Sequence, residues 1–139
     1  MKIVVGVDGS EHSLRAVAWC ARYAPSLHAE VIAVHSIEVS VYASTEGYLM
    51  PGSSSEDRES LRRMLVEQWC EPLVRAKVPV RPVLTEGQPA KVIRDTANAE
   101  HADLVVVGRR GRRGFTELLL GSTSHQLSHH VDRPLAIIP

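Results

Sequence analysis

The sequence is poor in several features that point to particular classes of protein. Aromatic residues make up 4% of the chain and include one Phe, so a nucleic-acid surface would lack the rings on which bases stack. Lys plus Arg number 16, as do Asp plus Glu, so no overall charge attracts a nucleic acid or an anionic membrane. No apolar stretch approaches the roughly 20 residues that span a bilayer. Any anion binding must therefore be local.

Several catalytic and cofactor motifs are also absent from the sequence. The first predicted strand is followed neither by the GxGxxG of dinucleotide-binding domains nor by the Ser-Gly-Gly-x-Asp-Ser turn of pyrophosphatase-type ATP enzymes, and no GxxxxGK[ST] loop occurs. Ser10 and Ser122 lack the GxSxG setting of a hydrolase nucleophile. Cys20 and Cys70 have no CxxC spacing, so we expect buried thiols in a reducing compartment. His125 and His129 lie one helical turn apart, but no third ligand accompanies them, and we predict no zinc site.

Short β-branched runs alternate with helical patterns along the chain. Runs that are apolar on both faces are typical of parallel strands covered by helices. The sequence has such runs at Ile3–Val7, Val31–Val34, Leu104–Val107 and Leu135–Ile138, and Val80–Leu84 is predicted as a further strand. Between them we predict a helix capped by Ser10, a long helix over residues 53–76 that Pro72 should kink or shorten, and a helix from Pro89. Residues 39–55, rich in Ser and Gly, are predicted to form a mobile surface loop.

This alternation predicts an α/β fold with a five-stranded parallel open sheet and helices on both faces. If the first three strands wind one way and the last two the other, the strand order is 3-2-1-4-5. Ligands of such sheets bind beyond the carboxyl ends of the strands, where the order reverses. No repeat or linker is evident, so we predict one domain over residues 1–139. Because Met1 runs directly into the first strand pattern, we expect a cytoplasmic protein.

Two glycine-containing segments fall at this predicted switch point. Gly108-Arg109-Arg110-Gly111 follows the fourth strand, and Gly121-Ser122-Thr123 begins a helix after nine further residues. Glycines let the backbone approach a ligand, successive N–H groups form an anion nest, and a helix start adds free N–H groups. Together they predict a polyphosphate cradle. Asp8, in the same crevice, is assigned to a divalent cation, with magnesium expected, or to ribose or phosphate through water, although Asp-Gly-Ser also forms turns and helix caps.

The spacing Gly108-x2-Gly111-x9-Gly121-Ser122 is similar to the glycine signature of the ATP-binding branch of the universal stress protein family. The opening string from Ile3 to Ser10, the pair Val34-His35 and the closing string from Arg133 to Ile138 also resemble that family. The resemblance covers essentially the entire length. It implies a fold of adenine nucleotide α-hydrolase type, bound ATP, and a homodimer built through the last strand.

The same resemblance assigns expected positions to the nucleotide. Gly6, Val7 and Asp8 would flank it, backbone atoms near Ser36 would contact the adenine edge, and Gly108 would meet the ribose. The residues implied to hold phosphates are Gly111, Arg112, Arg113, Gly114, Gly121, Ser122 and Thr123. The arginines at 109, 110, 112 and 113 either add positive charge to this site or are solvated.

Two kinds of function remain open at this point. In the first, the chain is a regulatory binding module whose ATP occupancy is read by a protein partner, since no general base or arginine-positioned water is evident. In the second, it is a slow ATPase or a phosphoryl or nucleotidyl transferase that uses Asp8 and the arginines.

Overall fold

A parallel sheet forms the centre of the protein. The computed structural model describes residues 1–37, 42–43, 49–50, 55–112 and 119–139, with the backbone alone at 42–43, 49–50 and 55–56. The five strands of the sheet are β1 (Lys2–Gly6), β2 (Glu30–Ile37), β3 (Val80–Glu86), β4 (Leu104–Gly108) and β5 (Leu135–Ile138). Their order, β3-β2-β1-β4-β5, confirms the predicted α/β arrangement. The order reverses between β1 and β4, at the middle of the sheet.

Side chains alternate between the two faces of the sheet and build two apolar layers. Ile3 and Val5 of β1 belong to one buried cluster, whereas Val4 between them belongs to the other. None of these three residues is exposed, as expected for a central parallel strand covered on both faces. The edge strands differ from β1: β3 contains Pro82, and every residue of β5 is half-buried.

Three helices begin close to the carboxyl ends of the strands. Helix α1 (Glu11–Tyr23) begins at Ser10, whose side chain accepts a hydrogen bond from the Ser13 N–H at 3.3 Å, which confirms the predicted cap. Helix α4 (Pro89–Ala99) begins at Gln88, which caps it in the same way through the Lys91 N–H. Helix α5 (Ser122–His130) begins after Gly121 and has no side-chain cap.

The predicted long helix over residues 53–76 is interrupted. It comprises α2 (Ser55–Met64), a π-helical segment (Leu65–Trp69) and α3 (Glu71–Arg75). The Cys70 N–H reaches back five residues to the Leu65 carbonyl at 3.0 Å, and Pro72, which has no N–H to donate, lies in the first turn of α3. The interruption expected from Pro72 is therefore confirmed, whereas the π-helical segment before it was not predicted.

Two shorter features bear on other predictions from the sequence. Within the stretch predicted as a loop, Tyr42–Ala43 and Leu49–Met50 pair as antiparallel strands, and residues 38–41, 44–48 and 51–54 lie outside the described residues.

Cys20 and Cys70 are free and buried, and burial raises their pKa values to about 12 and about 11. The prediction of buried thiols is thus confirmed, and the raised pKa values keep both thiols protonated near neutral pH. In the described part of the chain, no helix is long and apolar enough to cross a membrane.

Two helix ends and the turn after α1 each contain a residue other than glycine in the left-handed region. His28, Lys77 and His101 have φ values of 49°, 56° and 52°. After Lys77 the Val78 N–H bonds to the Leu73 carbonyl at 3.0 Å, the hydrogen bond that closes a Schellman motif. A side chain at such a position strains the backbone, a strain that glycine avoids.

Replacing Lys77 by Gly is therefore expected to stabilise the protein by about 0.5–1 kcal/mol, because the relief of strain exceeds the added freedom of the unfolded chain. Urea denaturation followed by circular dichroism measures this difference. Arg75→Gly, two residues earlier inside α3, is the control and should destabilise the protein by about 1 kcal/mol. A lower midpoint for Lys77→Gly than for the unchanged protein would contradict the strain at this helix end.

Candidate functional site

A cleft lies beyond the carboxyl ends of β1, β2 and β4, at the switch point predicted from the strand order. It encloses about 110 Å³, and the starts of α4 and α5 form part of its wall. Most of the residues predicted from the sequence line it: Gly6, Val7, Asp8, Ser36, Gly108, Arg110, Gly111, Gly121, Ser122 and Thr123. Arg113 and Gly114, also predicted, lie outside the described residues.

The two glycine segments meet in this cleft. The Gly121 N–H donates to the Arg109 carbonyl at 2.8 Å, and the buried Ser124 hydroxyl donates to the same carbonyl at 2.8 Å. A Cβ built on Gly121 would lie 3.1 Å from Cα of Arg110 and 3.4 Å from the nitrogen of Gly111. The start of α5 is therefore packed directly against the loop that follows β4, and a side chain at position 121 would push the two apart.

The start of α5 faces the cleft without a side-chain cap. Its N-cap position is Gly121, which has no side chain to accept from the first turn, whereas Ser10 and Gln88 serve that purpose for α1 and α4. The first residues of the helix, Ser122 and Thr123, line the cavity. Free N–H groups and the positive end of the helix dipole favour a bound anion at this point.

Asp8 joins the turn after β1 to the loop after β4. Its Oδ1 accepts from the Ser10 N–H at 2.9 Å and its Oδ2 accepts from the Arg112 N–H at 3.0 Å. Burial by itself raises the pKa of the Asp8 carboxyl, but hydrogen bonds from Ser10, Ser13 and Arg112 outweigh burial, and the pKa is below its usual value. A Cβ on Gly111 would lie 2.7 Å from Oδ2, so the loop approaches this carboxylate only because position 111 is glycine.

This geometry limits what Asp8 can offer to a metal ion. Each carboxylate oxygen already accepts one backbone N–H. Among the residues that the structure describes, no group of three or more His, Cys, Asp or Glu side chains is placed to hold a metal. Because Mg²⁺ is commonly held by one or two carboxylates together with phosphate oxygens, Asp8 fits this ion only when a ligand supplies most of the coordinating oxygens.

The described arginines near the cleft occupy three different environments. Arg110 lines the cavity. The guanidinium carbon of Arg112 lies 5.4 Å from the ring centroid of Trp69, and neither residue lines the cavity. The Arg109 N–H donates to the Ile138 carbonyl at 2.7 Å, and its side-chain Nε is buried with no hydrogen-bond partner in the described part of the chain. A shared phosphate-binding role for all of them does not match these positions.

Several residues of the cleft and its surroundings were not predicted from the sequence. His35, which lines the cleft, lies with Nδ1 2.7 Å from the Val7 carbonyl and its ring edge-on to Trp69 at 5.1 Å. Burial lowers the pKa of His35 most and the nearby Arg112 lowers it further, against opposing effects of Val7 and Asp8, so the ring is neutral at pH 7. A polar residue ending an apolar strand was the available sequence signal.

Helix α4 contributes an apolar wall that the sequence pattern did not indicate. Pro89 and Ile93 line the cleft opposite the polar loops. A Cβ on Gly6 would lie 2.6 Å from Cδ1 of Ile93, so the glycine at the end of β1 makes room for this wall. One apolar side and one side of backbone donors suit a ligand with a flat ring and an anionic group.

Comparison with known proteins identifies the family. The sequence model of the universal stress protein family matches residues 1–139. This chain belongs to the universal stress protein family. Universal stress protein MJ0531 of Methanocaldococcus jannaschii is 30% identical to it over 144 residues, which cover 99% of this chain and 81% of that protein. The predicted membership of the family is thus confirmed, and the function falls within the stress-response function of this family. The ATP-binding branch stays a prediction.

Solved structures of universal stress proteins share the fold. One in complex with cAMP has a TM-score of 0.75 at 23% identity and covers 99% of this chain and 95% of its own. One from Archaeoglobus fulgidus in complex with dAMP has a TM-score of 0.73 at 21% identity, covering 100% and 98% of the two chains. At these identities the similarity establishes the arrangement of strands and helices.

Replacing Asp8 by Asn should destabilise the protein by about 1–3 kcal/mol at pH 7, because an amide NH₂ group would face one of the two N–H donors. The pKa of Asp8 is lower in the folded protein than its ordinary value of 3.8, so its contribution to stability is present above pH 3.8 and is lost as pH falls through the folded pKa. Urea denaturation at neutral and at acidic pH should show the difference between variant and unchanged protein shrinking on acidification.

Asp132→Asn, at an exposed position, is the matched control and should leave stability unchanged at both pH values. Equal stability of Asp8→Asn and the unchanged protein at pH 7 would show that the carboxylate does not hold the two loops together.

Proposed function

We propose that this universal stress protein holds an adenine nucleotide, with ATP as the expected ligand, and acts in regulation through its bound state. The observation that carries this proposal is the uncapped start of α5 packed beside the Gly111 backbone at the switch point. Backbone from two chain segments lines the same cavity there, and N–H groups of such loops and helix starts suit a cluster of phosphate oxygens. Two universal stress proteins of the same fold were solved with cAMP and with dAMP, which supports an adenine nucleotide as the class of ligand.

The proposed orientation of the nucleotide follows from the walls of the cleft. The phosphates would bind the backbone at Gly111 and the first turn of α5 at Ser122 and Thr123, with the Arg110 side chain beside them. The adenine would lie near the apolar wall formed by Ile93. The Ser36 hydroxyl already donates to the Gly87 carbonyl, which leaves the backbone near Ser36 as the group that contacts the adenine edge.

Gly6, Val7, Asp8 and Gly108 would flank the ribose and phosphates, but Gly108 also has a role within the protein. A Cβ there would lie 2.5 Å from the carbonyl carbon of His12 and 2.7 Å from the nitrogen of Ser13. The absence of a side chain at 108 is therefore required by the packing of α1 against β4. Its proposed contact with the ribose would be made by backbone atoms.

Mg²⁺ would bind together with the nucleotide. The phosphate oxygens would supply most of its ligands, and Asp8 would be the nearby carboxylate. Each Asp8 oxygen has further lone pairs beyond the one used by a backbone N–H, so an indirect contact through water is compatible with the geometry.

Holding the nucleotide is favoured over rapid turnover by the state of the titratable groups in the cleft. Asp8 is engaged by two backbone N–H groups and has a lowered pKa, which makes it a weak general base. The Nδ1 of His35 faces the Val7 carbonyl, so this nitrogen is not free to accept a proton from water. We therefore propose at most slow hydrolysis.

The proposal includes a homodimer, a protein partner and a cytoplasmic location. Residues 1–139 would act as one nucleotide-binding unit that pairs with a second copy through β5, an exposed strand edge. The partner that reads the bound state would be a protein, and the two free, buried thiols are compatible with a cytoplasmic location.

Replacing Ser122 by Glu is expected to reduce ATP affinity at least about tenfold while keeping the fold, because a carboxylate in the first turn favours the helix dipole but repels phosphate. Isothermal titration measures the affinity and thermal denaturation measures the fold. Ser122→Gln, which has the same size without the charge, is the matched control and should lose much less. Equal ATP affinity of the Glu and Gln variants would place the phosphates elsewhere.

ATP mixed with excess purified protein and Mg²⁺ should remain largely intact through a single-turnover incubation, because Asp8, with a lowered pKa and two N–H partners, is a weak general base. Chromatography of the quenched mixture measures ADP and AMP. Rapid, stoichiometric product formation that Asp8→Ala abolishes would replace the binding proposal with an enzymatic one.

Mass spectrometry of the small molecules that freshly purified protein releases on denaturation should find adenine nucleotide near one per chain.

A further inference from the structure

Arg112 is attached to the body of the protein at two points. Its backbone N–H donates to Asp8 Oδ2 at 3.0 Å, and its guanidinium carbon lies 5.4 Å from the ring centroid of Trp69. A cation over a tryptophan face is attracted by the ring. Arg112 is itself exposed, and neither it nor Trp69 lines the cleft, whereas the preceding residue Gly111 does. We call the contact between the Arg112 guanidinium and the Trp69 ring the tether. The tether is separate from the surface that a ligand would touch.

Trp69 is a fixed anchor for this contact. It is the last residue of the π-helical segment and is 6% exposed. Its ring meets the edge of His35 at 5.1 Å, and His35 is bonded in turn to the Val7 carbonyl at 2.7 Å. The contacts therefore run from the end of β1 through β2 and the π-helical segment to the loop after β4.

Gly9 supplies the space in which Trp69 and Arg112 meet. Its φ is +77°, and a Cβ there would lie 2.5 Å from Cζ2 of Trp69 and 3.0 Å from Nη2 of Arg112. Both the backbone conformation and the space exclude a larger residue. The turn after β1 is thus shaped to admit the tether as well as to begin α1.

We propose that Arg112 is a positioning residue, which fixes the loop after β4 for phosphate binding without contacting phosphate itself. This inference rests on the proposed nucleotide site. With its guanidinium over Trp69, Arg112 holds Gly111 beside the start of α5. Losing the tether lowers the fraction of molecules in which the loop is ready, and the apparent affinity falls by that fraction. Arg110, which lines the cleft, is then the arginine that meets the phosphates.

Isothermal titration of AMP, ADP and ATP into Arg112→Met and Arg110→Met, at constant ionic strength, distinguishes the two roles. Arg112→Met should weaken all three nucleotides by one common factor of about two to five, the size of a cation–π contact. Arg110→Met should weaken them by a factor that grows with each added phosphate charge. Arg112→Lys keeps a cation and should recover part of the loss. A growing factor for Arg112→Met, or none, would overturn the positioning role.

Fluorescence provides a readout that does not depend on nucleotide. The chain has two tryptophans, so a Trp19→Phe background leaves Trp69 as the sole emitter. In that background Arg112→Met should change the emission spectrum and Arg110→Met should not. In a Trp69→Leu background, Arg112→Met should cause no further loss of affinity, because the anchor is already gone. An unchanged emission spectrum for Arg112→Met in the Trp19→Phe background would contradict the tether. So would a full additional loss of nucleotide affinity for Arg112→Met in the Trp69→Leu background.

These measurements separate failure of the inference from failure of the proposed function. If the unchanged protein binds none of the three nucleotides, the proposed function is wrong and the positioning role is wrong with it. If it binds them and Arg112→Met binds equally well, only the positioning role is wrong.

Discussion

The carboxylate of Asp8 is the point on which the arrangement of the cleft depends. It accepts one backbone N–H from the turn that starts α1 and one from the loop after β4. Burying a carboxylate is costly unless hydrogen bonds replace its hydration, and here backbone donors from two chain segments supply them. Because the two donors come from positions far apart in sequence, this one side chain fixes the relative placement of two loops that the sheet brings together only roughly.

The glycines of the cleft are explained first by the protein's own packing. Positions 6, 108 and 121 leave room for Ile93, for the backbone of α1 and for the backbone of Arg110, and position 111 leaves room for the Asp8 carboxylate. A spacing of glycines that is characteristic of a ligand site is thus also a spacing required for the loops to approach one another. The phosphate binding that we propose and the close packing of the loops would both depend on the same bare backbone.

The sheet and its switch point could be predicted from the sequence because their determinants are local. β-branched runs mark the strands, Ser10 marks a helix start, and the run from Gly108 to Gly111 follows a strand that topology places beside β1. The π-helical turn, the contact of Trp69 with Arg112 and the wall formed by Ile93 could not be predicted, since each depends on which side chains meet after folding. Trp69 illustrates this: it is buried, and nothing in the sequence around it indicates that a cation lies over its ring.

The two edges of the sheet are not equivalent as surfaces for pairing. Pro82 removes one N–H donor from β3, and proline on an edge strand interrupts the row of donors that an approaching strand requires. Leu135–Ile138 at the opposite edge contains no proline, so its donors are uninterrupted. The two edges therefore differ in how readily another strand can add to them. Because the β3 edge disfavours such addition, molecules that pair edge to edge are not expected to continue into an open-ended sheet.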